Sequence, residues 1–529
     1  MAGMGAAVRL RGRATLAMVR LATAAGGVMA IAAVAAGLLA AGTVQAAPKK
    51  APALEILQVE RPWPALVAVR VAIGGGACLD PVGQEGLAAL GWSAALRGAG
   101  SRDRAQLAQE LDALGARLDV SVDRQSAVLV GDVAADQLEP FLALLADVLL
   151  RPRFDPAEVE VVRAEMLADL EHLQDDDEGQ SADAIQRYLY RGQPHGRPIG
   201  GTAASLPRLD ARKLPAWHKR LAVAGNLRIG LAGDLRGDRA QKLVLAALSG
   251  VPAGAAAAIK VIRPVSPGRR LLLIDKPRRT QAQVVLAMTA APAKHRDFMA
   301  MLLGNAVLGG TFTSRLTREI RELRGWAYQT WSALSGAAGA STWALGFASA
   351  NRDTPAALEL ALRIVEELQR HGVTPAELRH AKDWLKGAHA LAMETAVGEL
   401  AQRMRAAELG LPQSDIDHFA QRVEAVDAKA LQRALKEQLR PQQLVAVVVG
   451  SGRALAEKLA SGESGYLVER IGPADLPEAT TGTGLLGGGR AVPAEPRPEH
   501  GEEGHEAEPE EGAAVPDDQG AAEDAQEAP

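Results

Sequence analysis

Only one cysteine, Cys78, occurs in 529 residues. A disulfide framework and a cysteine-based zinc site are therefore excluded. Net charge is scarce as well: 59 basic and 63 acidic side chains leave −4. Nothing in that balance supports nucleic-acid binding, which needs a basic footprint. Aromatic residues make up 3% of the chain. Beyond an N-terminal stretch there is no run of 18 or more apolar residues, so no further membrane span is expected. What is plentiful is apolar character, at 48% of residues. That is ample for sizeable cores and excludes a wholly disordered chain. The length suggests about two to four domains.

The small net charge hides two unlike ends. Residues 1–46 carry Arg9, Arg11, Arg13 and Arg20 and no acid. These arginines precede an apolar stretch from Gly26 to Ala41, and Val44-Gln45-Ala46 supplies the small residues that a signal peptidase requires. The expectation is an export signal cleaved before Ala47, with an uncleaved anchor as the alternative, and hence a periplasmic or secreted protein. The other end, residues 480–529, is rich in Gly, Pro, Glu and Ala. It has too little apolar surface to offset the entropy of ordering and is expected to be a disordered acidic tail.

The middle repeats itself. Strand patterns at Leu54–Val59 and Leu66–Ile73 recur at Leu271–Ile274 and Val284–Met288. Helix patterns near Glu85–Arg97 and Arg296–Leu308 follow, and then strand pairs: Arg117–Val122 with Ala127–Val133, and Ala327–Leu334 with Thr342–Ala348. Asp155-Pro156-Ala157-Glu158 and Thr374-Pro375-Ala376-Glu377 each open a long helix with a cap, a proline at its first position and an early glutamate. Each half closes on a strand, Leu227–Ala232 or Leu444–Val449. The constant offset argues for a duplicated domain. The chain is thus expected to be α+β: two homologous α/β sandwich domains over 52–250 and 270–460, each a mixed sheet with helices packed on it, joined by a linker at 251–269.

The second half contains Leu308-Gly309-Gly310-Thr311-Phe312-Thr313-Ser314-Arg315-Leu316 and continues through Arg318-Glu319-Ile320-Arg321-Glu322-Leu323-Arg324-Gly325-Trp326-Ala327-Tyr328. This stretch resembles the second-domain signature of the pitrilysin (insulinase, mitochondrial-processing-peptidase) zinc metallopeptidase family. Gly192-Gln193-Pro194-His195-Gly196-Arg197-Pro198 and Asn226-Leu227-Arg228-Ile229-Gly230 add to it. The resemblance spans about residues 52–460. It implies a half-clamshell that pairs with a second subunit to close a chamber.

Catalytic members of that family carry His-x-x-Glu-His on a first-domain helix and a further glutamate about 76 residues downstream. Two histidines four apart share a helix face and bind zinc, while the glutamate activates water. The matching helix here reads Gly86-Leu87-Ala88-Ala89-Leu90-Gly91-Trp92-Ser93. Ala89 and Ser93 stand at the histidine positions, Trp92 at the glutamate, and Asp169 at the downstream ligand. Ala and Trp cannot ligate zinc or take a proton, and Ser is a poor ligand. This chain is therefore expected to hold no metal itself, with zinc in a partner subunit that keeps His-x-x-Glu-His. The second half departs less. Arg321 and Tyr328 match in type and spacing a pair that, by the resemblance, reaches across the chamber to substrate. Gly309 and Gly310 are candidates for contact with a peptide backbone.

Other residues carry weaker signals. Leu316, Ile320 and Leu323 fall on one helical stripe, expected to be buried. Asp175-Asp176-Asp177-Glu178 lacks the spaced ligands of a calcium loop and reads as a solvated helix end. His218, His371, His380 and His389 show no ligand spacing. Two functions follow: a non-catalytic subunit of a heteromeric zinc peptidase, or a peptide-binding or structural scaffold subunit with no catalytic part. Neither involves nucleic acid, nor a membrane once the signal is removed.

Overall fold

Alternating and wholly apolar runs become strands in two sheets. The computed structural model describes residues 54–62, 64–258, 268–473 and 475; the expected export signal, the expected acidic tail and residues 259–267 of the expected linker lie outside them. The first sheet contains β1 (Glu55–Glu60), β2 (Leu66–Gly74), β3 (Arg117–Val122), β4 (Ser126–Ala134) and β5 (Leu227–Gly233), in the order β1-β5-β2-β4-β3. The second contains β6 (Arg270–Asp275), β7 (Gln281–Ala290), β8 (Ala327–Ser335), β9 (Ser341–Ala350), β10 (Val445–Gly450) and β11 (Leu467–Ile471), in the order β11-β6-β10-β7-β9-β8. Apart from the added edge strand β11, the order is the same in both. In each, the first and last strands of the repeat pair in parallel, β1 with β5 and β6 with β10, while the other pairs run antiparallel except that the added strand β11 also lies parallel to β6. The duplication read from the sequence is thus a duplication of topology.

The helices of the first half are α1 (Leu87–Ala95), α2 (Arg104–Ala113), α3 (Leu138–Leu150), α4 (Pro156–Asp175), α5 (Asp177–Leu189), α6 (Leu214–Leu221) and α7 (Arg239–Ala247). Those of the second are α8 (Phe298–Asn305), α9 (Thr354–His371), α10 (Pro375–Ala392), α11 (Ala396–Leu409), α12 (Ala428–Gln438) and α13 (Gly452–Ser461). The caps act as the sequence implies. Asp155 accepts from the Ala157 amide at the start of α4, and Thr374 and Glu377 form a reciprocal capping box at the start of α10. None of the described helices is long and apolar enough to cross a membrane.

Strand parity sorts the core. Val67, Val69, Val71 and Ile73 of β2 face the helices of their own half, while Ala68 and Ala72 point the other way. In the second sheet Leu271, Leu273, Ala446 and Val448 face their own helices, and Leu272, Ile274, Val445, Val447 and Val449 face the opposite side. Those opposite faces are covered by helices from the other half. Ala184, Ile185, Tyr188 and Leu189 of α5 pack on the second sheet. Leu400 and Met404 of α11 pack on Val59, Ala68, Ala72 and Ala232 of the first. At Gly230 of β5 an added Cβ would meet the Met404 sulfur at 2.3 Å, so the absence of a side chain lets α11 lie close. Each half therefore lends one helix to the other, and each large apolar side chain so buried contributes about 1.5–3 kcal/mol.

Charges fasten this exchange. Lys276, 8% exposed, reaches Asp177 Oδ1 at 2.5 Å and also donates to the Gln174 carbonyl. Arg279 Nε lies 2.9 Å from the other oxygen of Asp177. The acidic run at 175–178 is therefore not a free solvated helix end: Asp176 caps α5 and Asp177 ties it to the second half. On the other side Arg61 reaches Glu399 of α11 at 2.8 Å.

Candidate functional site

Helix α1 holds the positions where a zinc motif would stand. Its start is fixed by Asp80, whose two carboxylate oxygens accept from the Gly86 and Ala88 amides, each at 2.9 Å. Asp80 is almost wholly buried, and burial pushes its carboxyl up to about 7 while the two amides pull the other way. The contribution of the protonated carboxyl to stability is complete below its unfolded value near 3.8 and is lost as pH rises to about 7.

Ala89 and Ser93 are half-buried on the open side of α1, and Trp92 is turned inward and fully buried. Its ring meets Trp217 at 5.6 Å and His218 at 5.4 Å between centroids, both edge to face, and Phe154 meets His218 at 5.7 Å. Where a catalytic glutamate would sit, an indole completes an aromatic cluster beneath α6. Burial lowers the His218 pKa to about 4 although a hydrogen bond with the Leu149 backbone opposes it. The ring is therefore neutral at pH 7. Asp169 is exposed on α4, which packs on α1 through Leu167 and Leu170 and through Arg97–Glu165 at 2.6 Å. Among the described residues no group of three or more His, Cys, Asp or Glu side chains is placed to hold a metal ion. A methyl, an indole and a hydroxyl do not fit zinc, and no chemistry through zinc is assigned to this chain.

The second half presents a different surface. After α8 the helix widens into a π-turn over Ala306–Gly310. A Cβ on Gly309 would come within 2.8 Å of the Ser332 backbone nitrogen in β8, so this glycine serves close packing. Gly310 is half-buried against Asn305. A second π-turn, Thr317–Glu322, carries Arg321. Gly325 at φ +63° reverses the chain into β8, which brings up Tyr328. Leu316 and Ile320 are buried as their stripe implies, but Leu323 is 62% exposed. The wider π-turn and the following Gly325 rotate it off the buried face.

Arg321 and Tyr328 do come together. The guanidinium carbon lies 5.6 Å from the Tyr328 ring centroid and 5.8 Å from that of Phe312. Tyr328 is 88% exposed and Phe312 80%. Among the described residues no acid pairs with Arg321, whereas its neighbours are engaged: Arg324 with Glu319 at 2.8 Å and Arg315 with Glu377 at 2.7 Å. Two rings thus flank a cation whose N–H groups remain available. Sequence reasoning did not single out Phe312. Its only signal is a large apolar residue between two threonines in a loop, on no buried stripe. Of the histidines, His218 joins the aromatic cluster, His389 stacks on Phe419 at 4.3 Å, and His380 Nε2 lies 2.7 Å from Thr313 Oγ1.

Comparison with known proteins agrees with this geometry. The sequence model of the insulinase family (peptidase family M16) matches residues 56–203, and that of the peptidase M16 inactive domain matches residues 208–385. A protein of Mycobacterium tuberculosis named as an uncharacterized zinc protease is 26% identical over 68% of this chain and 83% of its own length. One from Helicobacter pylori named as a non-peptidase homolog is 24% identical over 72% and 88%. A crystal structure of a peptidase M16 inactive domain from Pseudomonas fluorescens superposes with a TM-score of 0.72 at 25% identity, covering 76% of this chain and 96% of that one. The chain belongs to the M16 peptidase family, the insulinase or pitrilysin family, as a non-catalytic M16-like protein.

Proposed function

We propose that this protein is the non-catalytic subunit of a heteromeric zinc metallopeptidase of the cell exterior or periplasm. It pairs with a homologue that keeps His-x-x-Glu-His and lends Arg321 and Tyr328 to that subunit's site. The observation that carries the reading is the Arg321–Tyr328 pair: adjacent, outward-facing and, among the described residues, without an acid to neutralise the guanidinium. A guanidinium N–H and a phenolic O–H both donate to a peptide carbonyl, and more strongly to the oxyanion of its tetrahedral intermediate. Activation of water by zinc is the partner's chemistry. This chain binds and orients the peptide and stabilises developing negative charge.

The test is cleavage of a quenched fluorescent peptide by the protein reconstituted with the zinc-bearing homologue. Arg321→Ala and Tyr328→Phe should each lower kcat by about 10²–10³, the usual cost of one oxyanion donor. The double variant should lose less than the product of the two. Gel filtration checks that each variant still assembles. Correctly assembled variants with wild-type rates would leave the scaffold role in place of the catalytic one.

A further inference from the structure

One face of α10 is exposed and apolar. Trp384 is 42% exposed and Leu391 71%, and seven residues place them two turns apart on one side of the helix. Gly387 lies between them, three residues after one and four before the other. A Cβ on Gly387 would meet no atom within 4 Å. Other described glycines with such open space, Gly83, Gly115, Gly237, Gly268, Gly325 and Gly465, all have positive φ, which is reason enough for glycine. Gly387 has ordinary helical φ in the middle of an 18-residue helix. Glycine is a poor helix former, and here neither backbone conformation nor packing within the chain calls for it. The residue leaves a notch between a Trp and a Leu that opens outward.

The same helix face begins beside the Arg321 site. His380, one turn before Trp384, is joined to Thr313 at 2.7 Å, and the neighbouring Phe312 ring flanks Arg321. From His380 to Leu391 the helix rises about 16 Å, the span of roughly five extended residues. Repeat symmetry gives the face a second significance. Helices α4 and α10 correspond, and aligning Pro156 with Pro375 carries Asp169 onto Ala388, beside the notch. The strip thus occupies on the second half the place that the downstream metal-ligand position occupies on the first.

We propose that the Trp384–Gly387–Leu391 face of α10 docks the apolar side chains of an extended peptide whose backbone runs on to Arg321 and Tyr328, with one large side chain seated over Gly387. This deepens the peptide-binding reading, on which it rests, by naming the substrate class: extended segments with large apolar residues to one side of the bond held at Arg321. Two apolar side chains and a notch are far smaller than the roughly 800 Å² per partner of a stable protein interface, which favours a peptide over a folded partner.

The experiment uses the full chain and fluorescein-labelled twelve-residue peptides, one with Leu and Phe at alternate positions and one with Ser and Gln in their place, read by fluorescence anisotropy. Wild type should prefer the apolar peptide by tenfold or more. Gly387→Leu fills the notch with a better helix former, and should weaken that binding at least tenfold with an unchanged or raised melting temperature. Leu391→Arg, at a position already mostly exposed, should do the same and guards against a folding defect in the first variant. Wild-type affinity in both folded variants, or equal affinity for the two peptides, overturns the proposal. So does Gly387→Leu that blocks assembly with the zinc-bearing homologue while still binding peptide, which would make the face a subunit contact. Failure of the Arg321 reading looks different: Arg321→Ala turns over peptide at the wild-type rate while Gly387→Leu still fails to bind.

Discussion

The two halves of this chain share one topology and have turned different parts of it to opposite ends. In the first half, α1 carries Trp92 into the core, where Trp217 and His218 enclose it. In the second, the segment that runs from the end of α8 through two π-turns into β8 leaves Phe312, Leu323 and Tyr328 in solvent around Arg321. Burial in the first half yields stability and removes chemistry. Exposure in the second forgoes apolar burial and keeps N–H and O–H donors available. A duplicated fold can thus specialise by deciding, half by half, which side chains face inward.

The sharpest way to break this comparison is to put a carboxylate back in α1. Trp92→Glu removes a fully buried indole, a change that costs about 3–5 kcal/mol for truncation alone, and it adds an unpaired buried charge. Chemical denaturation should show a loss at least that large. Adding Ala89→His, Ser93→His and Asp169→Glu should not repair it. A stable protein with Trp92→Glu would mean that the aromatic cluster is dispensable.

The same cluster predicts a pH dependence. His218 titrates near 6.5 when unfolded and about 4 when folded. Between those values the unfolded chain binds the proton more readily, so stability falls as pH drops from 6.5 towards 4, by about 3 kcal/mol at most. Asp80 acts in the opposite sense across the whole of that window. The measurement is therefore the difference between wild type and His218→Phe in denaturant midpoint at pH 7 and pH 4.5. Wild type should lose more.

A smaller effect tests the joint between the halves. Lys276→Met removes one of two cations on Asp177 and leaves Arg279 in place. The expected cost is about 1–2 kcal/mol, with protection from hydrogen exchange lost first along α5. Uniform loss of protection would show that α5 is not a separately held element. The smallest effect belongs to the exposed surface: Tyr328→Phe and Leu323→Ser should each stay within about 0.5 kcal/mol of wild-type stability, while only the first alters turnover in the heteromer.

Much of this was legible in advance where the signal is local. Pro156 and Pro375 with their caps marked the two long helices because capping is settled within one turn. The apolar Leu444–Val449 run marked a closing strand, and β10 is that strand, buried on both faces. Arg321 and Tyr328 were legible as a pair through the family resemblance, with Gly325 allowing the chain to turn between them. The destinations of α5 and α11 were not. An amphipathic helix shows that one face is buried and is silent on which sheet receives it. Asp177 was misjudged for the same reason, since Lys276 and Arg279 lie about a hundred residues away.

Composition and pattern by themselves determined the duplicated α/β halves and their order of elements along the chain, and the family resemblance marked Ala89, Trp92 and Ser93 as side chains that cannot form a zinc set, because these depend on neighbours in sequence and on what each side chain can donate or ligate. Only the tertiary structure decided that Trp92 turns into an aromatic cluster, that each half covers the other's sheet, that Phe312 joins Tyr328 around Arg321, and that Gly387 opens a notch to solvent. Each of those depends on contacts between segments far apart in the chain, where packing selects one partner among many that the same hydrophobic pattern would allow.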